Sequence, residues 1–123
     1  MKIQESAENY LETILVLSLD KPYVRSIDIA NELGFSKPSV SVAMKNLRQK
    51  NYVLVSDEGY LSLTEEGLKL ASTVYERHSV ISNWLISLGV SQEVAVEDAC
   101  RMEHDISDES FAAIKKYLQD AGK

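Results

Sequence analysis

Apolar residues recur along the first twenty positions at steps of four and three, as Ile3, Ala7, Tyr10, Ile14 and Leu17. That stripe predicts one amphipathic helix over residues 3–19. Asp20-Lys21-Pro22 ends it, because proline disfavours helical backbone in the residue before it. Ser26 reads as the cap of a short helix, Ile27 to Leu33, with Ile29, Ala30 and Leu33 facing inward, and Gly34 as its left-handed stop. Ser36 caps a third helix that carries Pro38 in its first turn, where a missing N–H costs nothing. Val40, Ala43, Met44 and Leu47 form its inner side. The period then shortens: Tyr52 to Ser56 and Tyr60 to Leu63 are β-prone runs around Asp57-Glu58-Gly59, the pattern of a hairpin. Thr64 caps a long helix with Leu70, Val74, His78, Ile81, Leu85 and Leu88 on its stripe and Gly89 as its end. Ser91 caps a helix to about Asp105, and Ser107 caps the last, Phe111 to Leu118.

The expected fold is therefore mainly α with a small β-hairpin wing. A winged helix-turn-helix over residues 1–63 is followed by a helical layer over 64–123, with the seam near Thr64. A length of 123 residues and 45% hydrophobic content suit independent folding. The single Cys100 cannot form an internal disulfide, and the start Met1-Lys2-Ile3-Gln4-Glu5-Ser6 lacks the apolar stretch of a secretory signal. Together with the absence of a membrane-length apolar run, these features predict a cytoplasmic protein.

Thirteen basic residues against nineteen acidic ones give a net charge of −6, which argues against nucleic-acid affinity spread over the whole surface. The third helix departs from this balance. Between Lys37 and Lys50 lie Lys37, Lys45, Arg48 and Lys50, with no acidic residue. A second helix of this kind, before a hairpin, is the element that a winged helix-turn-helix lays in the major groove of double-stranded DNA. Ser36, Ser39, Ser41 and Asn46 can hydrogen-bond to bases or backbone, and Arg25, Lys37, Lys45 and Arg48 can hold phosphates. Pro38 and Val42 can meet thymine methyl groups.

A second constellation is metal-like. Cys100, Glu103 and His104 stand at i, i+3 and i+4, on one side of one helix. Thiolate, carboxylate and imidazole are a ligand set for first-row transition metals. His78 interrupts the apolar stripe of the long helix, and Asn9 and Glu12 share the side of the first helix away from Tyr10 and Ile14. Judged alone, His78 reads as a core histidine, Cys100 as a small packing residue and Glu12 as an exposed charge. A metalloenzyme is poorly supported: the chain has no His-Glu-x-x-His motif, no phosphate loop and no nucleophile–base pair in view. A winged-helix regulator that ignores metals and answers to a small ligand or partner protein is the competing reading.

Three segments carry a family resemblance. Glu97-Asp98-Ala99-Cys100-Arg101-Met102-Glu103-His104, Glu8-Asn9-Tyr10-Leu11-Glu12-Thr13-Ile14 and Ser36-Lys37-Pro38-Ser39-Val40-Ser41 resemble the metal-binding stretch, opening helix and recognition-helix start of the diphtheria-toxin-repressor family. The resemblance implies a homodimeric, metal-dependent repressor that binds operator DNA when Fe(II) or Mn(II) sits between its two layers, so that the metal acts as a clamp. It implies Asn9, Glu12, His78, Cys100, Glu103 and His104 as ligand positions. Cys100 matches the iron-responsive form; Glu12 and His78 match the manganese-responsive one. Asn9 matches neither, since those forms carry methionine or aspartate there. Val96 and Ser82 replace ancillary-site ligands of the iron form. The chain stops at Lys123, where longer members continue into an SH3-like domain, so a short form is expected. Thiolate plus imidazole make Fe(II) the first expectation and Mn(II) the second, with Zn(II), Co(II) and Ni(II) competing in vitro. Trp84, Leu88, Val90 and Val94 cluster around the end of the long helix, as the apolar contact of a dimer or equally as core in a monomer.

Overall fold

The computed structural model describes residues 3–121, with side chains from Ser6 onward. Its elements are α1 (Ile3–Asp20), α2 (Ser26–Leu33), α3 (Lys37–Gln49), β1 (Val53–Val55), β2 (Leu61–Leu63), α4 (Glu65–Ser87), α5 (Gln92–Asp105) and α6 (Asp108–Ala121). Two compact units divide the chain between Ser72 and Thr73, each with its own apolar cluster. Among the described residues, no helix is long and apolar enough to cross a membrane.

In the first unit, α1, α2 and α3 bury Leu11, Ile14, Ile29, Ala30, Val40, Met44 and Leu47 with Val53 and Leu61 of the hairpin. Tyr10 and Ile14 of the expected α1 stripe are buried, and Leu11 beside them is fully so. The side chain of Ile3, which opens that stripe, lies outside the described residues. Gly34 ends α2 at φ 71°, a left-handed conformation that glycine adopts without a Cβ penalty. Phe35 then meets the edge of Tyr10, with ring centroids 6.0 Å apart. Ser36 Oγ accepts from the Ser39 N–H at 3.3 Å, which caps α3 ahead of Pro38.

The cap of α2 differs from the expectation. Ser26 is the first helical residue, and Arg25 is the extended residue before it (φ −121°, ψ 164°). The cause is tertiary. Leu61 N–H donates to Val24 O at 2.7 Å, so Val24 forms a third, one-residue edge on the hairpin and holds the chain extended through Arg25. The cap then comes from inside the helix, where Asp28 accepts from the Arg25 N–H at 2.9 Å and from Lys21 Nζ at 3.1 Å. These two donors hold the Asp28 carboxyl below the usual carboxylate range, the backbone N–H being the larger influence.

The strands pair antiparallel with Val53 opposite Leu63 and Val55 opposite Leu61. Thr64 fastens the hairpin to α4: its Oγ1 accepts from the Gly67 N–H at 3.0 Å and donates to Asn51 O at 2.7 Å. Gly67 packs face-on against the Tyr52 backbone, where a Cβ would collide with the carbonyl oxygen.

In the second unit, Ile81 of α4, Ala99 of α5 and Phe111 of α6 form the buried centre, with Val80, Leu85, Met102 and Ile106 packed on it. Ser91 caps α5 by accepting from the Val94 N–H, and Ser107 caps α6 by accepting from the Ser110 N–H. Two expectations change. Leu88 is 64% exposed because α4 ends at Ser87 and Gly89 (φ 101°) turns the chain, so the helical period does not reach it. The last helix starts three residues earlier than expected, at Asp108, directly after its cap, and runs on to Ala121.

The contact at Gly67 gives a direct test. Gly67→Ala is expected to lower stability by about 1–3 kcal/mol, the usual cost of forcing a group into filled space, in a urea titration followed by far-UV circular dichroism. A change within error would mean that the Tyr52 backbone yields freely.

Candidate metal centre and nucleic-acid interface

On α5, the fully buried residues Ala95 and Ala99 continue at the next four-residue step into Glu103, so an acidic side chain occupies the helix's inner stripe. Its carboxylate has no solvent exposure. His78, from α4, brings Nδ1 to 3.1 Å from Glu103 Oε2. Cys100 stands one turn before Glu103 on the exposed side of the helix, with its thiol near the His78 ring. The donor atoms of His78, Cys100 and Glu103 all lie within 4.8 Å of one another.

The electrostatics are those of an anionic pocket. Cys100, and then Glu103, push the His78 imidazolium up to about 10, against the opposing effect of its partial burial. The favourable contribution of the charged imidazole is complete below its ordinary value and is lost as pH rises through that raised one. Glu103 Oε1 is buried and receives no hydrogen bond; it lies 3.3 Å from His104 Nε2, outside hydrogen-bonding geometry. A buried carboxylate oxygen without a hydrogen bond is costly, and a cation is its natural complement. Imidazole, thiolate and carboxylate together suit a first-row divalent metal, so the residues present fit such an ion.

Of the six expected metal positions, the second unit brings three together. His104 lies behind them, its side chain 2% exposed beside Glu103. Asn9 and Glu12 belong to α1 in the first unit, where both are half-buried and Asn9 O accepts from Thr13 Oγ1 at 2.7 Å. At the two ancillary positions, Ser82 is buried and donates to Ser79 O at 3.3 Å, while Val96 is exposed.

The ten expected DNA-binding residues are all exposed: Arg25, Ser36, Lys37, Pro38, Ser39, Ser41, Val42, Lys45, Asn46 and Arg48. They are not all on one face. Ser41, Lys45 and Arg48 line a cleft of about 250 Å³ shared with Ser26 and with Val55 and Leu61 of the hairpin, whereas Asn46 borders a groove along Ala7 and Tyr10 of α1. The periodicity does not disclose how Arg25 is held. Its guanidinium lies 4.7 Å over the Tyr60 ring and donates to Tyr60 Oη at 3.1 Å, and Tyr23 stacks on the same ring at 4.3 Å. Tyr23 and Tyr60 were not among the expected site residues, because only the Val24–Leu61 pairing brings them together.

Comparison with known proteins agrees with both halves of this geometry. Residues 2–61 match the family model described as the iron dependent repressor N-terminal DNA binding domain. Residues 64–122 match the iron dependent repressor metal binding and dimerisation domain. The transcriptional regulator MntR of Salmonella typhimurium is 36% identical over 119 residues, which span 97% of this chain and 76% of that one. Among solved structures, the manganese regulator SloR is similar with a TM-score of 0.80 and 31% identity, covering 92% of this chain and 53% of its own. A manganese-dependent transcriptional repressor in complex with manganese gives a TM-score of 0.83 at 26% identity, covering 92% and 52%. The chain thus spans about half the length of these solved structures.

The donor set generates a spectroscopic prediction. Added Co(II) is expected to develop a near-ultraviolet sulfur-to-metal absorption that Cys100→Ser abolishes. The same band in both proteins would remove Cys100 from the ligand set.

Proposed function

The chain belongs to the iron-dependent repressor family, a family of transcriptional regulators and not of enzymes, and from that premise we propose that it binds operator DNA under the control of a divalent metal ion. The observation that carries this reading is the approach of the donor atoms of His78, Cys100 and Glu103 to within 4.8 Å of one another, at a buried carboxylate whose other oxygen receives no hydrogen bond. These three side chains would hold the ion, with His104 beside them and Glu12 and Asn9 as further candidate ligands from α1. When bound, the ion supplies positive charge that neutralises thiolate and carboxylate together.

Residues 1–63 serve as the DNA-binding domain and 64–123 as the metal-binding and dimerisation domain. Ser39, Ser41 and Asn46 read base edges, Pro38 and Val42 contact thymine methyls, and Arg25, Lys37, Lys45 and Arg48 grip phosphates, with Ser36 fixing the start of the helix. The protein works in the cytoplasm as a homodimer. The exposed Leu88 and Val94, next to the half-buried Trp84 and Val90, supply the apolar contact. A dimer places two recognition helices on half-sites about one or more DNA turns apart.

Fe(II) is the first choice of metal, because a thiolate and an imidazole favour it over a harder ion. Mn(II) is the second reading, favoured by the manganese regulators among the relatives. Zn(II), Co(II) and Ni(II) rank above both in intrinsic affinity and are expected to compete in vitro.

The test is fluorescence anisotropy on a duplex selected by the protein from random DNA, run anaerobically with Fe(II), with Mn(II) and with chelator. Metal is expected to tighten binding at least tenfold, and Glu12→Gln to reduce that effect. Equal affinity with and without metal would leave a metal-independent winged-helix regulator in its place. Lys45→Ala should weaken binding alike on all sequences and lower the salt slope by about one. Cys100→Glu should shift the preference towards Mn(II); an unchanged metal ranking would contradict the iron reading.

A further inference from the structure

Arg77, the residue before His78, is buried, with its side chain 10% exposed. Its Nη1 donates to Glu103 O at 3.1 Å and to Ile106 O at 2.7 Å, and its Nη2 pairs with the Asp108 carboxylate. The guanidinium lies 5.4 Å from the centre of the Phe111 ring, and its Nε is buried with no hydrogen bond. Filling this space with a guanidinium is expensive, and an apolar side chain of similar volume would fill it more cheaply. What the arginine gains is geometric. Helix α5 ends at Asp105, so the carbonyls of its last turn have run out of helical N–H partners. Arg77 takes two of the carbonyls in this segment and ties them to the first turn of α6.

Two adjacent residues of α4 therefore hold one residue of α5 at both ends. His78 meets the carboxylate of Glu103, and Arg77 meets its backbone carbonyl. We infer that Arg77 is a positioning residue for the metal centre, one that fixes the last turn of α5 so that the Glu103 carboxylate is presented at a set angle to His78 and Cys100. Cys100 lies a turn earlier, beyond the reach of this fork, so Arg77 governs the carboxylate donor and not the thiolate. The consequence is a bias in metal preference. A harder ion such as Mn(II) depends more on the carboxylate, and Co(II) more on imidazole and sulfur. This inference rests on the proposed metal-responsive function.

The experiment measures Mn(II) binding, by electron paramagnetic resonance of the free ion, and Co(II) binding, by absorption, in the wild-type chain, Arg77→Lys and Asp108→Asn. Far-UV circular dichroism checks each fold. Arg77→Lys keeps the charge and loses the fork; Asp108→Asn weakens the fork from an exposed position and leaves the buried side chains in place. The expected result is a loss of about tenfold or more in Mn(II) affinity for Arg77→Lys, within the range for residues that orient metal ligands. Co(II) should lose clearly less, and Asp108→Asn should shift the two metals in the same sense by a smaller factor. Wild-type affinities in both variants would overturn the inference. So would equal losses for the two metals, which would mark Arg77 as plain scaffold. If Arg77→Lys does not fold, the Mn(II)-to-Co(II) ratio in Asp108→Asn decides alone. A wild-type chain that binds neither metal would overturn the proposed function and this inference with it, whereas unchanged variants of a metal-binding wild type overturn this inference only.

Discussion

A carboxylate removed from water must be compensated where it lies, and the second unit is organised around that demand at Glu103. The inner stripe of α5 runs Ala95, Ala99, Glu103: two residues small enough to bring helix backbones close, then a charge where another apolar group would be cheaper. His78 answers one carboxylate oxygen, and the other is buried with no hydrogen bond. A sequence that breaks its own core pattern at such a point does so for chemistry, since burying the charge is otherwise a pure loss. The neighbouring cysteine and histidine complete a donor set that suits a divalent metal ion.

The first unit solves a different problem. Its recognition helix has to keep a polar face in solvent while its other side stays rigid. The rigidity comes from many small fastenings: the Ser36 cap, the left-handed Gly34, the Val24–Leu61 bridge and the close approach of Gly67 to Tyr52. Apart from the Ser36 cap, none involves a residue expected to touch DNA. The Tyr23–Tyr60–Arg25 stack also holds an expected DNA-binding side chain, and it pins the hairpin to the start of α2.

Most of the helical scaffold is legible in the chain because its signals are local. Serine or threonine caps at Ser36, Thr64, Ser91 and Ser107 and the three- and four-residue apolar steps need no knowledge of distant residues. The failures are tertiary. Arg25 precedes α2 only because Leu61, thirty-six residues on, holds Val24 extended. Leu88 continues the stripe on paper, but the chain has already turned at Gly89. At the candidate metal centre, the spacing of Cys100 and Glu103 on one helix is visible in the sequence, whereas the arrival of His78 is not; there the family resemblance supplies what periodicity cannot. Arg77 gave no signal at all, because a lone arginine on a helix looks like any solvated charge until its carbonyl partners are known.

The division of the chain into two units has an optical side. The single tryptophan, Trp84, lies in the second unit, while the six tyrosines are divided, Tyr10, Tyr23, Tyr52 and Tyr60 in the first and Tyr75 and Tyr117 in the second. Indole emission therefore reports on the unit that carries His78, Cys100 and Glu103 and not on the reading helix, whose melting the peptide backbone records. Light at the red edge of the indole band, which phenol rings do not absorb, therefore follows the second unit by itself, without attaching a dye.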